Sequence, residues 1–196
     1  MIADCTAIIL AGGQSSRMGQ DKASLRFGEQ TLLQNVLSIL QPCFAETFVS
    51  VRELRSEISQ RQIFDDLKYR GPLAGLLVAL EAAPTPWIFL VACDMPFITI
   101  EMVEYLAAQR QHHHQAVVPR VQEHPQPMAA FYNKNASEQI RAVLQDPTAK
   151  HSLRSVLEKL DTLYVEADSL REVDPQLRSF FDLDTPSDLV QASLLR

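Results

Sequence analysis

Apolar residues follow two different periods along this chain, and the two periods alternate. Short continuous apolar runs predict buried strands over residues 6–10, 47–51, 87–93, 116–119, 128–132, 163–166 and 180–183. Between these runs, apolar side chains recur at helical spacing, which predicts helices over residues 30–40, 72–83, 99–111, 135–144, 153–160 and from Pro186 onward. Strands that alternate with helices are typical of a mostly parallel α/β sheet that binds ligands at the carboxyl ends of its strands.

A glycine-rich loop follows the first predicted strand. Leu10 and Ala11 end the apolar run, and Gly12 and Gly13 come next. Because glycine has no side chain, its backbone N–H groups can approach an anionic ligand closely. The two glycines are adjacent, and the residue five positions after Gly13 is Met18, so the loop is neither a dinucleotide fingerprint nor a P-loop. It predicts a phosphate site of another kind, with a plain strand-to-helix turn as the alternative.

Two cations and one carboxylate complete this prediction. Arg17 and Lys22 follow the glycines. Arginine binds phosphate oxygens through two parallel hydrogen bonds, and lysine acts as a mobile point charge. Asp94 comes directly after the strongest apolar run, so it projects from the carboxyl edge of the sheet beside the glycine loop. An aspartate there suits Mg²⁺, which binds one or two carboxylates together with substrate phosphates; a turn-forming aspartate is the alternative.

Composition narrows the range of partners. The 196 residues are 46% hydrophobic, which is enough for a substantial core in a single domain over residues 1–196. The net charge of −6 disfavours nucleic-acid binding. The three cysteines form no C-x-x-C pair, which disfavours zinc binding, and their odd number disfavours a disulfide framework. Residues 112–114 are three consecutive histidines, which on a helix cannot share a metal, and they are expected to end one. No stretch has the length of a membrane span, and the expected location is cytoplasmic.

Four segments, in order, resemble those of the molybdenum cofactor guanylyltransferases, a family of nucleotidyltransferases with a Rossmann-like fold. They are residues 10–22, 71–76, 91–97 and 182–189. The resemblance spans nearly the whole chain and implies a three-layer sandwich with a mostly parallel central sheet, similar to the nucleotide-diphospho-sugar transferases. It also implies transfer of GMP from GTP to the terminal phosphate of Mo-molybdopterin, with Mg²⁺ as the cofactor. Proteins of molybdoenzyme maturation are further expected partners.

The resemblance also implies roles for individual residues. The backbone of Leu10, Ala11, Gly12 and Gly13 is expected to hold the nucleotide, together with Asp66. Lys22 is expected to neutralise the α-phosphate, Arg17 the β- and γ-phosphates, and Asp94 is expected to bind the metal. Arg17, Lys22 and Asp94 are therefore the expected catalytic residues.

Several positions remain open at this level. Ser50 stands where relatives carry a nucleotide-binding Asn, and its shorter side chain makes that contact uncertain. Asp182 and Asp184 stand where relatives often carry Asn. The alternatives are that Asp184 completes the metal site, that the pair faces the pterin, or that the segment only caps the last helix. His124 and Gln126 are candidate contacts to the acceptor. Residues 71–75 open a helix whose N-terminus favours anions, or form only a tight turn.

Alternative functions remain as well. One is a nucleotidyltransferase that uses CTP or a sugar-phosphate acceptor. Another is a non-catalytic carrier of the cofactor or of a nucleotide. The presence of Arg17, Lys22 and Asp94 favours an enzyme over the carrier.

Overall fold

The computed structural model describes residues 1–12, 21–64, 68–69 and 71–195. Its strands are β1 (Ile2–Leu10), β2 (Arg26–Phe27), β3 (Gln30–Thr31), β4 (Phe44–Val51), β5 (Arg61–Phe64), β6 (Trp87–Ala92), β7 (Ala116–Val121), β8 (His124–Pro125), β9 (Ala129–Asn133) and β10 (Thr162–Glu166). Its α-helices are α1 (Leu32–Leu40), α2 (Pro72–Ala82), α3 (Ile100–Ala108), α4 (Ser137–Gln145), α5 (Leu153–Leu157), α6 (Ala167–Leu170) and α7 (Pro186–Leu195). Within this part of the chain, eight strands form one sheet in the order β10-β7-β9-β6-β1-β4-β5, with β8 beside β7, and β2 pairs with β3 separately.

The central sheet is mostly parallel, as predicted. Strand β1 lies between β4 and β6 and pairs in parallel with both. Strand β9 runs antiparallel to β6 and β7, and the short β8 runs antiparallel to β7. In the parallel core, Leu10 pairs with Ser50 on one side and with Ala92 on the other. Three strands therefore end at the same level, side by side.

Helices cover both faces of the sheet, which confirms the three-layer architecture. Ala7 and Ile9 of β1 face one apolar cluster that includes buried residues of α1, α3 and α6. Ile8 faces the opposite cluster, which includes buried residues of α2, α4 and α5. Successive side chains of a strand point to opposite faces, so a fully apolar strand such as β6 indicates burial on both.

Local signals set the helix boundaries. Thr31 caps α1 with a capping box, so this helix starts at Leu32 rather than at residue 30, and Gln30 and Thr31 pair as β3. The Thr99 side chain accepts from the Met102 N–H and caps α3, as predicted. Gly71 precedes α2 with φ of 97°, a backbone conformation that glycine adopts without strain.

The predicted strand over residues 180–183 is wrong. Arg178–Phe180 is a 3₁₀ helix, and the following residues are irregular. Leu183 is fully buried in a third apolar cluster with Phe27 of β2 and partly buried Phe181. Its apolar character therefore reflects packing beneath the site rather than a place in the sheet.

The expectation that the histidines end a helix is also wrong. Helix α3 ends at Ala108, and residues 112–114 follow it in and beside a turn. His114 is buried, and its Nδ1 has no hydrogen-bond partner among the residues described here. Burial lowers the pKa of His114, and the charge of the neighbouring His113 acts in the same direction.

No helix in the described part of the chain combines the length and the apolar character needed to cross a bilayer.

Candidate active site

A cleft of about 310 Å³ opens at the carboxyl ends of β4, β1 and β6. Its lining residues come from the ends of these strands, the 3₁₀ turn after the glycine loop, the start of α2 and the entry to β9: Leu10, Ala11, Gly12, Asp21, Lys22, Ser50, Arg52, Gly71, Pro72, Gly75, Ala92, Cys93, Asp94 and Met128. The cleft thus lies at the edge of the sheet where an α/β fold is expected to bind ligands.

Lys22 bridges two carboxylates in this cleft. Its Nζ lies 2.6 Å from Oδ2 of Asp94 and 2.6 Å from Oδ1 of Asp184. The Lys22 and Asp94 side chains are each 17% exposed, whereas that of Asp184 is 50% exposed. Two acidic groups and one mobile cation therefore converge at a point that solvent still reaches.

The backbone fixes Asp94 from two sides. Asp94 follows β6, and the N–H of the preceding Cys93 donates to the Leu10 carbonyl at 3.1 Å, which ties this turn to the end of β1. The Asp94 carbonyl accepts from the Leu183 N–H at 3.0 Å. This second bond brings the segment that carries Asp182 and Asp184 next to the cleft, although it forms no strand.

Lys22 begins a short 3₁₀ helix, Lys22–Ser24, whose N-cap is Asp21. The Asp21 side chain accepts from the Ala23 N–H and also pairs with Arg55 at 2.8 Å. Arg55 donates in addition to Ser24 Oγ at 2.7 Å. The turn that presents Lys22 is therefore anchored to the loop after β4.

Asp184 is held by the cap of the last helix. The Asp188 carboxylate accepts from the N–H groups of Asp184 at 2.9 Å and Thr185 at 2.7 Å, and the Thr185 hydroxyl accepts from the Asp188 N–H at 3.3 Å. Thr185 thus caps α7, as predicted, with Pro186 at its first position. Capping belongs to Thr185 and Asp188, which leaves the Asp184 carboxylate directed at Lys22.

Charges in the cleft influence one another. Burial lowers the pKa of Lys22, but hydrogen bonds and charge from Asp184 and Asp94 outweigh this effect, and the pKa lies above its usual value. Partial burial raises the pKa of Asp182 to about 6, and the negative charges of Asp94 and Asp184 add to the increase. Around Lys22 itself, two carboxylates face one ammonium group, so this part of the site favours a further positive charge.

The donor set is suited to a hard cation that also binds substrate. No group of three or more His, Cys, Asp or Glu side chains arranged to hold a metal occurs among the described residues. Two carboxylates do converge on Lys22. Magnesium typically uses only one or two carboxylates and takes its other ligands from water and phosphate. The described residues therefore fit a metal that arrives with a phosphorylated substrate.

The opposite side of the cleft is formed by β4. Ser50 is buried at the end of this strand, and Arg52 follows it with an exposed side chain. A Cβ atom added to Gly12 would lie 3.3 Å from Arg52 Cγ and 3.4 Å from the Arg52 backbone nitrogen. A side chain at position 12 would therefore be tight against Arg52, and Arg52 is a cleft residue that the sequence analysis missed.

The predicted site residues divide into two groups. Leu10, Ala11, Gly12, Lys22 and Asp94 all line the cleft. Gly13, Arg17 and Asp66 lie outside the described residues, so their roles stay predictions.

The two candidate acceptor contacts lie away from the cleft lining. His124 belongs to β8, and the Gln126 N–H donates to the Pro119 carbonyl at 2.8 Å in the turn towards β9. Neither residue is among those that line the cleft.

Comparisons with known proteins identify the family. The sequence profile of the MobA-like NTP transferase domain matches residues 7–163. A probable molybdenum cofactor guanylyltransferase of Pelotomaculum thermopropionicum is 37% identical over 193 residues, which cover 97% of this chain and 92% of the relative. A relative of the same name from Methanosarcina mazei is 34% identical and covers 94% of this chain and 88% of its own length.

Solved structures show the same fold. The molybdopterin-guanine dinucleotide biosynthesis protein A of Archaeoglobus fulgidus superimposes with a TM-score of 0.86 at 27% identity, covering 97% of each chain. The 2-C-methyl-D-erythritol 4-phosphate cytidylyltransferase of Thermus thermophilus gives a TM-score of 0.69 at 20% identity over 97% of each chain, which is a likeness of fold alone.

Proposed function

The chain belongs to the MobA-like NTP transferase family, and we propose that it transfers GMP from GTP to the terminal phosphate of Mo-molybdopterin. The products are molybdopterin guanine dinucleotide and pyrophosphate. The observation that carries the proposal is the convergence of Lys22, Asp94 and Asp184 at the mouth of the cleft, at 2.6 Å for both ion pairs. The names of the relatives from Pelotomaculum and Methanosarcina support the choice of GTP and of the pterin acceptor.

The reaction requires positioning more than proton transfer. The acceptor phosphate is already an anionic nucleophile, and the bond that breaks joins the α-phosphate of GTP to pyrophosphate. The protein must bring two anions together and stabilise the charge that develops on the α-phosphate and the leaving group. Lys22 is the described cation placed to do so. It leaves its carboxylate partners when phosphate oxygens compete for it, because its side chain is long and partly exposed.

We propose that Asp94 binds Mg²⁺. Asp184 is close to this site, because both carboxylates contact the Lys22 ammonium group. When bound, the ion supplies a positive charge that neutralises phosphate oxygens. Asp94 is suited to this role because its backbone is fixed on both sides while its carboxylate remains partly exposed. Lys22 holds the carboxylates in place before substrate binds.

The remaining walls hold the nucleotide. Gly12 allows backbone at the end of β1 to approach the ligand, and the N-terminus of α2 at Gly71 and Pro72 directs its positive dipole end into the cleft. Arg17 and Asp66 are proposed to bind the β- and γ-phosphates and the nucleoside, respectively. Gly12, Gly71 and Pro72 line the same cleft at one edge of the sheet, so a single nucleotide can contact all three.

The alternatives are less well supported. The Thermus cytidylyltransferase shares only the fold, so it gives no reason to prefer CTP. A non-catalytic carrier would have no need for a lysine shared between two carboxylates beside the ligand cleft. Recognition of the pterin rests on the names of the relatives.

The test is to incubate the purified protein with Mg²⁺, Mo-molybdopterin and GTP, CTP or ATP in turn. We expect pyrophosphate release with GTP, together with a new species whose mass equals the pterin plus GMP. Omission of the pterin is the control, because release without an acceptor would be hydrolysis. Pyrophosphate release with CTP but not with GTP would replace the proposal by its cytidylyl alternative.

A further inference from the structure

Arg52 is a cation in the cleft that has no role in the reaction proposed so far. It lies two residues beyond Ser50, the last residue of β4 that pairs with β1. Its side chain is exposed to the cleft, and its aliphatic stem lies against Gly12. None of the ion pairs between described residues involves Arg52. With respect to the described part of the chain, its five guanidinium donors have no carboxylate partner and can bind a ligand.

Strand order places the backbone of Arg52 two strands away from that of Asp94, which is proposed to lie at the phosphate end of the nucleotide. Asp94 follows β6, Gly12 follows β1 and Arg52 follows β4, and these three strands are adjacent in the sheet. Neighbouring strands lie about 4.8 Å apart, so the chain leaves the sheet at Arg52 roughly 10 Å from where it leaves at Asp94. A nucleotide whose phosphates lie at Lys22 and Asp94 would span this width with its ribose and base. Arg52 thus faces the base end of the ligand rather than its triphosphate.

We propose that Arg52 reads the guanine base by donating two hydrogen bonds to O6 and N7. This inference rests on the proposed function, because it takes the triphosphate to lie at Lys22. An arginine can only donate. Guanine presents two adjacent acceptors on this edge, whereas adenine presents one acceptor and one amino donor, and cytosine presents an amino donor. Arg52 therefore favours guanine over both.

Gly12 contributes to the position of the Arg52 side chain. Arg52 Cγ already lies within 3.3 Å of the place that a Cβ of residue 12 would occupy. A side chain there would push against the arginine stem and its backbone. The absence of a side chain at Gly12 lets the Arg52 stem lie against the end of β1.

The test compares GTP with 7-deaza-GTP, which lacks the N7 acceptor, in wild-type protein and in Arg52→Met. Methionine keeps an unbranched stem but has no donors. For the wild type we expect KM for the analogue to be about tenfold higher than for GTP, the size of discrimination typical of an arginine–guanine contact. In Arg52→Met the two KM values should become equal, and both should exceed the wild-type KM for the analogue because the bond to O6 is lost as well. Arg52→Lys should retain an intermediate preference.

Arg154→Met is the matched control, because Arg154 is exposed on α5 away from the cleft. It should show the wild-type preference. If Arg52→Met raises both KM values but keeps their ratio, Arg52 binds phosphate or ribose, and the inference is overturned. The inference is also overturned if the wild type does not distinguish the two nucleotides.

Failure of the proposed function would look different. In that case the wild type would form no dinucleotide from GTP at all. Calorimetric binding of GTP and 7-deaza-GTP in the presence of Mg²⁺ would then measure the same ratio without turnover. An equal affinity of the wild type for both would overturn the assignment of Arg52 independently.

Discussion

The ammonium group of Lys22 lies 2.6 Å from the carboxylate of Asp94, although 72 residues separate them in the chain. The contact forms because β1 and β6 are parallel neighbours whose ends, Leu10 and Ala92, pair directly. Lys22 comes after β1 in the chain and Asp94 comes after β6, so residues that follow neighbouring strands meet in the site. An enzyme that joins two phosphorylated substrates needs such a meeting of cation and carboxylate.

Replacing Asp94 by Asn should abolish most turnover. The substitution keeps the size of the side chain but removes the charge that would hold Mg²⁺, and loss of one fixed electrostatic contact typically costs about a hundredfold or more in rate. Higher Mg²⁺ concentrations should partly restore activity. Initial rates of dinucleotide formation across a Mg²⁺ titration measure both effects. Asp168→Asn, at a fully exposed carboxylate, is the control and should behave as wild type.

Lys22→Met should also reduce kcat about a hundredfold, for the same reason, but with a different dependence on metal. Because the variant keeps both carboxylates, added Mg²⁺ should not rescue it. Removing the ammonium also frees Asp94 and Asp184 from their shared partner, so binding of Mn²⁺ to the nucleotide-free protein should become tighter. Mn²⁺ binding followed by electron paramagnetic resonance checks this, with Lys150→Met on the surface as control. Near-normal turnover would remove Lys22 from the catalytic set.

Gly12→Ala should weaken GTP binding through Arg52. Its new methyl group would lie 3.3 Å from Arg52 Cγ, and overpacking typically costs about 1–3 kcal/mol. Because the arginine stem can move, we expect the lower end of this range, which is about five- to tenfold in KM for GTP. In the Arg52→Ala background, where Cγ is absent, the added cost should shrink. Steady-state kinetics of the two single variants and the double variant give this comparison; additive effects would mean that Gly12 and Arg52 act separately.

His114 should make the protein less stable in acid. Its pKa lies below the ordinary value of 6.5, chiefly because of burial. The folded state therefore binds this proton more weakly than the unfolded state, and stability is lost as the pH falls below about 6.5. We expect His114→Gln to raise the free energy of unfolding relative to wild type at pH 5 by more than at pH 8. Urea unfolding at the two pH values measures the difference, and an equal change at both would contradict this expectation.

The sequence predicts the core of this fold well, because the core depends on local patterns. Strand β6 is an uninterrupted apolar run, and its predicted and observed bounds differ by one residue. Helix α2 begins at Pro72, where proline suits the first turn. Strands β2, β3 and β8 have two residues each, which is too short for any periodicity to register.

Prediction of the site residues from the sequence is limited by how far each contact depends on long-range structure. Lys22 and Asp94 can be found because one follows a glycine-rich loop and the other a buried strand. Arg52 follows a strand as well, but no spacing rule distinguishes a lone arginine there, and only the contact with Gly12 shows where it lies. The pairing of Asp184 with Lys22 depends on the hydrogen bond from Leu183 to the Asp94 carbonyl, a long-range contact that no local pattern encodes.

Transfer of labelled phosphorus tests the proposed reaction most directly. The protein, Mg²⁺ and Mo-molybdopterin are incubated with GTP that carries the label at either the α- or the γ-phosphate. Attack at the α-phosphate beside Lys22 and Asp94 predicts that the α-label appears in the pterin product and that the γ-label leaves entirely as pyrophosphate. Recovery of the γ-label in the pterin, or of no label from either substrate, would contradict it.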